Sequence, residues 1–221
     1  MPEGPDFYDS MTALYANETE GVNFIREWYQ HRARYASLKN YKDQNKVFIM
    51  APHGGSIESG TTELALATAG FVKNFNGDTD TSVTHNYFIF NGTNPKDQNG
   101  KLHVTSSHYD DVDANELVSN SLISFAFHGC TDEQPDESTG QGYQACLIGG
   151  RDQVLKEILE AQLKNVGFNA YAIRGTEALH IATGATITMF LTTGSSAPRT
   201  AISSSRSAAT TESEPWVAMT R

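Results

Sequence analysis

The 221-residue chain reads as an α/β protein with a mixed, mostly parallel sheet flanked by helices, and three observations carry that reading. The apolar run Val47-Phe48-Ile49-Met50 is followed by a Gly-rich loop and an Ala-rich helical stretch, the strand, loop, helix order of parallel units. Leu122 to Phe127 is a second buried strand of the same kind. Gln144 to Ile148 is another, followed by Val154 to Val166, whose apolar residues Val154, Leu155, Ile158, Leu159 and Leu163 share one helical face before Gly167 ends it.

The remaining elements follow in chain order. Phe7, Met11, Leu14 and Tyr15 recur at helical spacing within residues 7 to 20, with Asp9 or Ser10 available as a cap. Residues 22 to 36 are aromatic and charged, and their pattern does not separate helix from strand. Asn40 to Asn45 is a turn, residues 46 to 52 a strand, and Thr61 to Val72 a helix. Asn74 to Thr81 is a polar loop, Tyr87 to Phe90 a strand, Asn91 to Gly100 a turn-rich loop, and Asp113 to Asn120 a helix. One domain over residues 1–194 is expected. Residues 195–221, rich in Ser, Thr, Ala and Arg, show no period and read as a poorly ordered tail.

Composition excludes several classes. With 19% charged and 38% hydrophobic residues the chain is globular, and no apolar run approaches the ~18 residues of a membrane helix. The N-terminus carries no leader pattern, so the protein is either retained in the cell or exported with its signal removed; the second is slightly favoured. A formal charge of −10 argues against nucleic acid as partner, although a local positive site can still hold an anionic ligand. A monomer is expected. Cys130 and Cys146 fit either one disulfide or two reduced thiols. Asn17-Glu18-Thr19 and Asn91-Gly92-Thr93 match glycosylation acceptors, triplets common by chance.

The chemistry-bearing residues leave the ends of strands. His53 and Glu58 lie in Ala51-Pro52-His53-Gly54-Gly55-Ser56-Ile57-Glu58, and His128 follows Phe127. Strand ends of one parallel sheet adjoin a common crevice, so groups 75 residues apart can converge there. Two histidines and a glutamate with a fourth position left open describe a catalytic zinc site, able to acidify a water and polarise a carbonyl. The structural alternative is a loop histidine beside a helix-start carboxylate. His103, His108 and Asp110 sit in a polar loop and read as residues orienting a ligand by hydrogen bond. Arg151, at a Gly-Gly turn after a strand, is a candidate for bidentate binding of a substrate carboxylate.

Four motifs in order resemble the poly-γ-glutamate hydrolase family, which is related in fold to zinc carboxypeptidases: Ala51 to Ala65, Leu102-His103-Val104-Thr105-Ser106-Ser107-His108-Tyr109-Asp110, Phe127-His128-Gly129-Cys130, and Gly149-Gly150-Arg151-Asp152. The resemblance spans about residues 7 to 173 and includes Ala16 to Val22. It implies a one-zinc amidohydrolase cleaving γ-linked glutamyl bonds, a metallopeptidase chemistry, with an anionic γ-glutamyl polymer or peptide as partner. It also implies His53, Glu58 and His128 as the zinc ligands. A terminal Gln-Leu-Glu-Leu-Ser-like strand, whose glutamate serves as general base in that family, has no counterpart. Ile187 to Leu191 can form a strand but holds no acid, and Glu177 is the nearest carboxylate. The catalytic residue is therefore unassigned, and a binding protein that keeps the metal cleft with weakened or lost catalysis is the competing expectation.

Overall fold

The computed structural model describes residues 6–30, 47–70, 72–73, 79–80, 85–130, 145–173 and 186–192. The expected turn at 40–45, Glu177, the carboxylate nearest to the expected last strand but not expected to act as general base, and the tail at 195–221 lie outside them.

The helix α1 (Met11–Asn17) starts where the Ser10 hydroxyl caps the Ala13 N–H at 3.1 Å. The undecided aromatic segment forms the strand β1 (Phe24–Tyr29). The central strand β2 (Val47–Gly55) runs past the expected end at residue 52 and carries His53 within it. After it come α2 (Thr61–Thr68), a two-residue pair β3 (Val72–Lys73) and β4 (Thr79–Asp80), and β5 (Asn86–Gly92). The expected helix to Val72 thus stops earlier, at a cap followed by Gly70 with φ 90°, and Thr79–Asp80 is paired rather than looped. Two 3-10 turns, Lys96–Leu102 and Ser106–His108, lead to α3 (Val112–Ser119). The strands β6 (Ile123–Cys130) and β7 (Cys146–Gly150), the helix α4 (Gln153–Asn165), β8 (Ala170–Ala172) and β9 (Thr186–Thr192) complete the order.

Seven strands form one sheet in the order β1-β5-β2-β6-β9-β7-β8. The pairs β5/β2, β2/β6, β6/β9 and β7/β8 are parallel, whereas β1/β5 and β9/β7 are antiparallel. Alternation along the strands sends side chains to two cores. Ile49, Ala51, Tyr87, Ile89 and Phe127 join Ala65 of α2, with Leu155, Leu159 and Leu163 of α4 packed against them. Phe48, Phe88 and Phe90 pack with Met11 and Leu14 of α1 and Ala114 and Leu117 of α3. Asp111 pins the second layer together: it caps α3 at Ala114 N–H (2.8 Å) and accepts from Tyr15 Oη (2.5 Å) and Arg26 Nη1 (3.1 Å).

The chain leaves β2 through α2 to reach β5 on one side, then returns through α3 to β6 on the other. That reversal makes the carboxyl ends of β2 and β6 the place where an open α/β sheet forms its crevice.

Candidate metal centre

The bend in β2 sets up the site. Register shifts between Ala51 and Gly54, and this irregularity delivers His53 into the protein. Two glycines are required where the strand runs against β5. A Cβ on Gly54 would clash with Thr62 Oγ1 and lie 2.5 Å from Asn91 Oδ1, and Gly55 has φ +66° with its Cβ position 2.5 Å from the Gly92 carbonyl. The following turn is closed by Glu58 N–H donating to the His53 carbonyl at 2.8 Å, and Thr61 Oγ1 donates to the Glu58 carbonyl at 2.8 Å. Glu58 thus stands ahead of α2, whose first turn begins only after Gly60.

His53, Glu58 and His128 converge. His53 Nδ1 lies 3.1 Å from Glu58 Oε1 and 3.1 Å from His128 Nδ1, and His128 Nδ1 lies 3.5 Å from Glu58 Oε2. All three are buried, at 1%, 8% and 2% exposure. Glu58 Oε2 also accepts from the Gly129 N–H at 2.8 Å, which locks the loop after β2 to β6. His53 Nε2–H donates to the Val104 carbonyl at 2.9 Å, and the Ser106 hydroxyl stands 3.4 Å from His128 Nε2. The outer nitrogen of each ring is thus occupied, turning both Nδ1 atoms toward the carboxylate, as orienting partners do for metal-bound histidines.

The electrostatics follow from burial and proximity. Burial works to raise the Glu58 carboxyl, but the His53 charge and hydrogen bonds from His128 and His53 outweigh it and hold Glu58 well below its ordinary range. Burial works to lower His53, yet Glu58 prevails and its value is raised. His128 is lowered by burial and by the neighbouring His53. One proton on His53 therefore sits among two imidazole nitrogens and a carboxylate, a position a divalent cation can take. Two nitrogen donors and one carboxylate suit zinc.

His103 enters this cluster more deeply than its loop position implies. It is 8% exposed, its Nε2 lies 3.9 Å from Glu58 Oε1, and its ring centre is 4.1 Å from that of His53. His53, Glu58 and His103 also place one ligand atom each within 4.8 Å of one another. The missed residue is Asp6, whose Oδ1 lies 3.0 Å from His103 Nδ1 and whose Oδ2 accepts from the Thr105 N–H at 2.6 Å. No spacing or periodicity links residue 6 to residue 103, and one of several acids ahead of the first helix gives no signal. An apolar hollow lined by Met50, Pro52, Ser106, Tyr109 and Ala126 opens beside the group.

Other expected residues stand elsewhere. Asp110 faces away and accepts from the Thr12 N–H at 2.9 Å, anchoring the first turn of α1, so its ligand-orienting role is corrected to a helix-terminal one. His108 is 57% exposed, with Nδ1 3.8 Å from Asp6 Oδ2. Arg151 is exposed at the opposite end of the sheet. Because β9 enters between β6 and β7 and pairs antiparallel with β7, Gly150 aligns with Ile187 and Phe125, whereas His128 aligns with Phe190 and Leu147. Arg151 therefore starts about 13 Å along the strands and about 10 Å across from His128, beyond an arginine's reach. The same strand separates Cys130 from Cys146; two strand spacings, roughly 9.5 Å, exceed disulfide geometry, and both cysteines are buried and not joined by a disulfide. Burial, with Cys130 nearby, pushes the Cys146 thiol up to about 12.

Comparison with known proteins gives a consistent picture. The family model described as poly-gamma-glutamate hydrolase matches residues 8–188. In Bacillus subtilis (strain 168), the UPF0714 protein YmaC is 30% identical over 166 residues, 75% of this chain, and YndL is 28% identical over 212 residues. The chain spans about half the length of YmaC, 56% of it, and 74% of YndL. Among solved structures, a bacteriophage poly-gamma-glutamate hydrolase aligns with TM-score 0.62 at 24% identity, covering 85% of this chain and 79% of that one. The zinc-free apo form of YndL aligns with TM-score 0.63 at 23% identity, covering 86% and 81%.

Proposed function

Because the chain belongs to the poly-γ-glutamate hydrolase family, we propose that it is a zinc-dependent amidohydrolase acting on γ-glutamyl amide bonds of poly-γ-glutamate or a related anionic peptide. The observation that carries this reading is the buried convergence of His53 Nδ1, His128 Nδ1 and the Glu58 carboxylate within 3.1–3.5 Å. A phage relative of the same fold is a poly-gamma-glutamate hydrolase, and YndL has been captured in a form described as zinc-free.

His53, Glu58 and His128 would hold the ion, leaving one position open. Bound there, zinc would polarise the scissile carbonyl and make a water a better nucleophile near neutral pH. The protein's part is positional. The Val104 carbonyl fixes the His53 tautomer, the Gly129 N–H fixes the carboxylate, and the hollow beside Ser106 offers apolar surface to substrate methylenes.

One observation supports a second reading, a cleft that binds the polymer with little turnover. The strand β9, next to β6 in the sheet, reads Thr-Ile-Thr-Met-Phe-Leu-Thr and carries no carboxylate. Loss of a general base costs roughly 10²- to 10⁴-fold in rate. Zinc content by plasma emission, together with viscosity of a poly-γ-glutamate solution, separates the readings. Bound zinc with falling viscosity supports the enzyme; bound zinc with constant viscosity supports the binding protein; purified protein that takes up no zinc refutes both.

A further inference from the structure

From the Asp6–His103 pair we infer a hydrogen-bond acceptor for the water that serves the reaction: His103 Nε2 holds that water beside the cation, and Asp6 is the positioning residue that keeps this nitrogen bare. The inference rests on the zinc reading above.

Three observations carry it. Asp6 Oδ1 lies 3.0 Å from His103 Nδ1, and that carboxylate, already fixed by the Thr105 N–H, can only accept; the ring proton therefore sits on Nδ1. The opposite nitrogen, Nε2, is buried and has no hydrogen-bond partner among the described residues. A buried unpaired acceptor is costly and calls for a donor that arrives with the reactants. Glu58 Oε1, 3.9 Å away, is a carboxylate and cannot donate, so among the described residues the place for a donor is left to a water or a substrate N–H.

Ring geometry separates this role from direct metal ligation. With a zinc–nitrogen distance of about 2.0–2.1 Å, two imidazoles on one tetrahedral ion have ring centres roughly 5 Å apart. His53 and His128 meet that at 4.9 Å and 64°. His53 and His103 are instead 4.1 Å apart and tilted by only 31°, a near-stacked arrangement too close for both to aim at one ion. The third histidine is thereby placed beside the ion rather than on it.

The test is long-range proton–nitrogen NMR of ¹⁵N-histidine-labelled full-length protein, with and without zinc. The expected result is a protonated Nδ1 and bare Nε2 on His103 in both states, with zinc moving only the Nδ1 signals of His53 and His128 into the metal-bound range. Asp6→Asn should mix the His103 tautomers and lower kcat roughly 10- to 100-fold, the range for removing a partner that orients an imidazole at a metal site. It should do so at unchanged zinc content, and Asp6→Glu should recover part of the loss. A metal-bound His103 Nε2, a proton on Nε2 in the wild type, or an Asp6→Asn variant with wild-type tautomer and rate overturns the inference. If zinc moves no histidine signal, the zinc reading falls and takes this inference with it. A wrong tautomer with normal zinc shifts sinks the inference alone.

Discussion

Replacing Glu58 isolates what the buried cluster contributes to the fold, and the two obvious replacements should differ. The carboxylate is 8% exposed, lies 3.1 Å from His53 Nδ1, and accepts the Gly129 N–H at 2.8 Å. Removing one partner of a buried ion pair costs about 3–5 kcal/mol. In Glu58→Gln the amide oxygen can still accept from Gly129, and His53 can shed its proton, so the lower end, about 3 kcal/mol, is expected. Glu58→Ala leaves the Gly129 N–H unpaired as well, adding about 1–3 kcal/mol. With a urea slope near 2 kcal/mol/M, the Gln variant should unfold about 1.5 M earlier than wild type. Zinc widens the gap: at 100 times its dissociation constant it stabilises the wild type by about 2.7 kcal/mol, a gain both variants should lose. Urea titrations followed by circular dichroism, with chelator and with zinc, read all four numbers. A Gln variant that unfolds at the wild-type midpoint and still gains from zinc would show that Glu58 neither pairs with His53 nor binds metal. An Ala variant no worse than Gln would remove the Gly129 hydrogen bond from the account.

Three further outcomes follow. His128→Ala should abolish stoichiometric zinc measured by plasma emission, because two remaining donors bind weakly; retained zinc contradicts its assignment. Stability in chelator should depend on pH in a defined direction. The raised His53 contributes below its ordinary value of 6.5 and is lost as pH rises through its higher folded value, whereas the lowered Glu58 contributes above 4.5 and is lost only in stronger acid. The His53–Glu58 pair therefore supports the fold most between those limits, and zinc, which must displace the His53 proton, should bind more weakly as pH falls; the opposite pH trend in zinc titrations would refute the pairing. Gly54→Ala should destabilise by about 1–3 kcal/mol in thermal unfolding, since its Cβ lies 2.9 Å from the Phe90 carbonyl and closer still to Thr62 Oγ1.

The parts of the site legible in the sequence are those that strands deliver. Val47–Met50 and Leu122–Phe127 are apolar runs of buried strands, and His53 and His128 come at their carboxyl ends, so pattern could nominate His53, Glu58 and His128 together. The strand boundaries were less legible: both histidines lie inside their strands, His53 because the irregularity after Ala51 lets β2 continue through glycines that read as loop. Asp6 and the depth of His103 were not legible. They depend on the segment before α1 crossing to the 3-10 turns ahead of α3, a tertiary contact with no periodic trace. Asp110 was misread for the related reason that its loop turns toward α1 rather than toward the crevice.

Arg151 shows where strand-end reasoning stops being valid, and what replaces it. A residue following a strand reaches the crevice only if that strand runs with the others, and β9 reverses β7 by pairing with it antiparallel. Without Arg151 at the crevice, the positive charge considered for an anionic polymer is that of a cation bound at the site. With Glu58 ionised and both ligand histidines neutral in the bound state, a divalent cation leaves the centre with a net charge near +1, inside a chain of formal charge −10. Attraction confined to the centre is short-ranged, because salt at 0.15 M screens beyond about 8 Å. The global charge opposes long-range steering, so added salt should relieve that repulsion and raise the rate of substrate capture. An arginine-led site would show the reverse, with capture falling as salt rises, and stopped-flow binding of poly-γ-glutamate oligomers across an ionic-strength series decides between them.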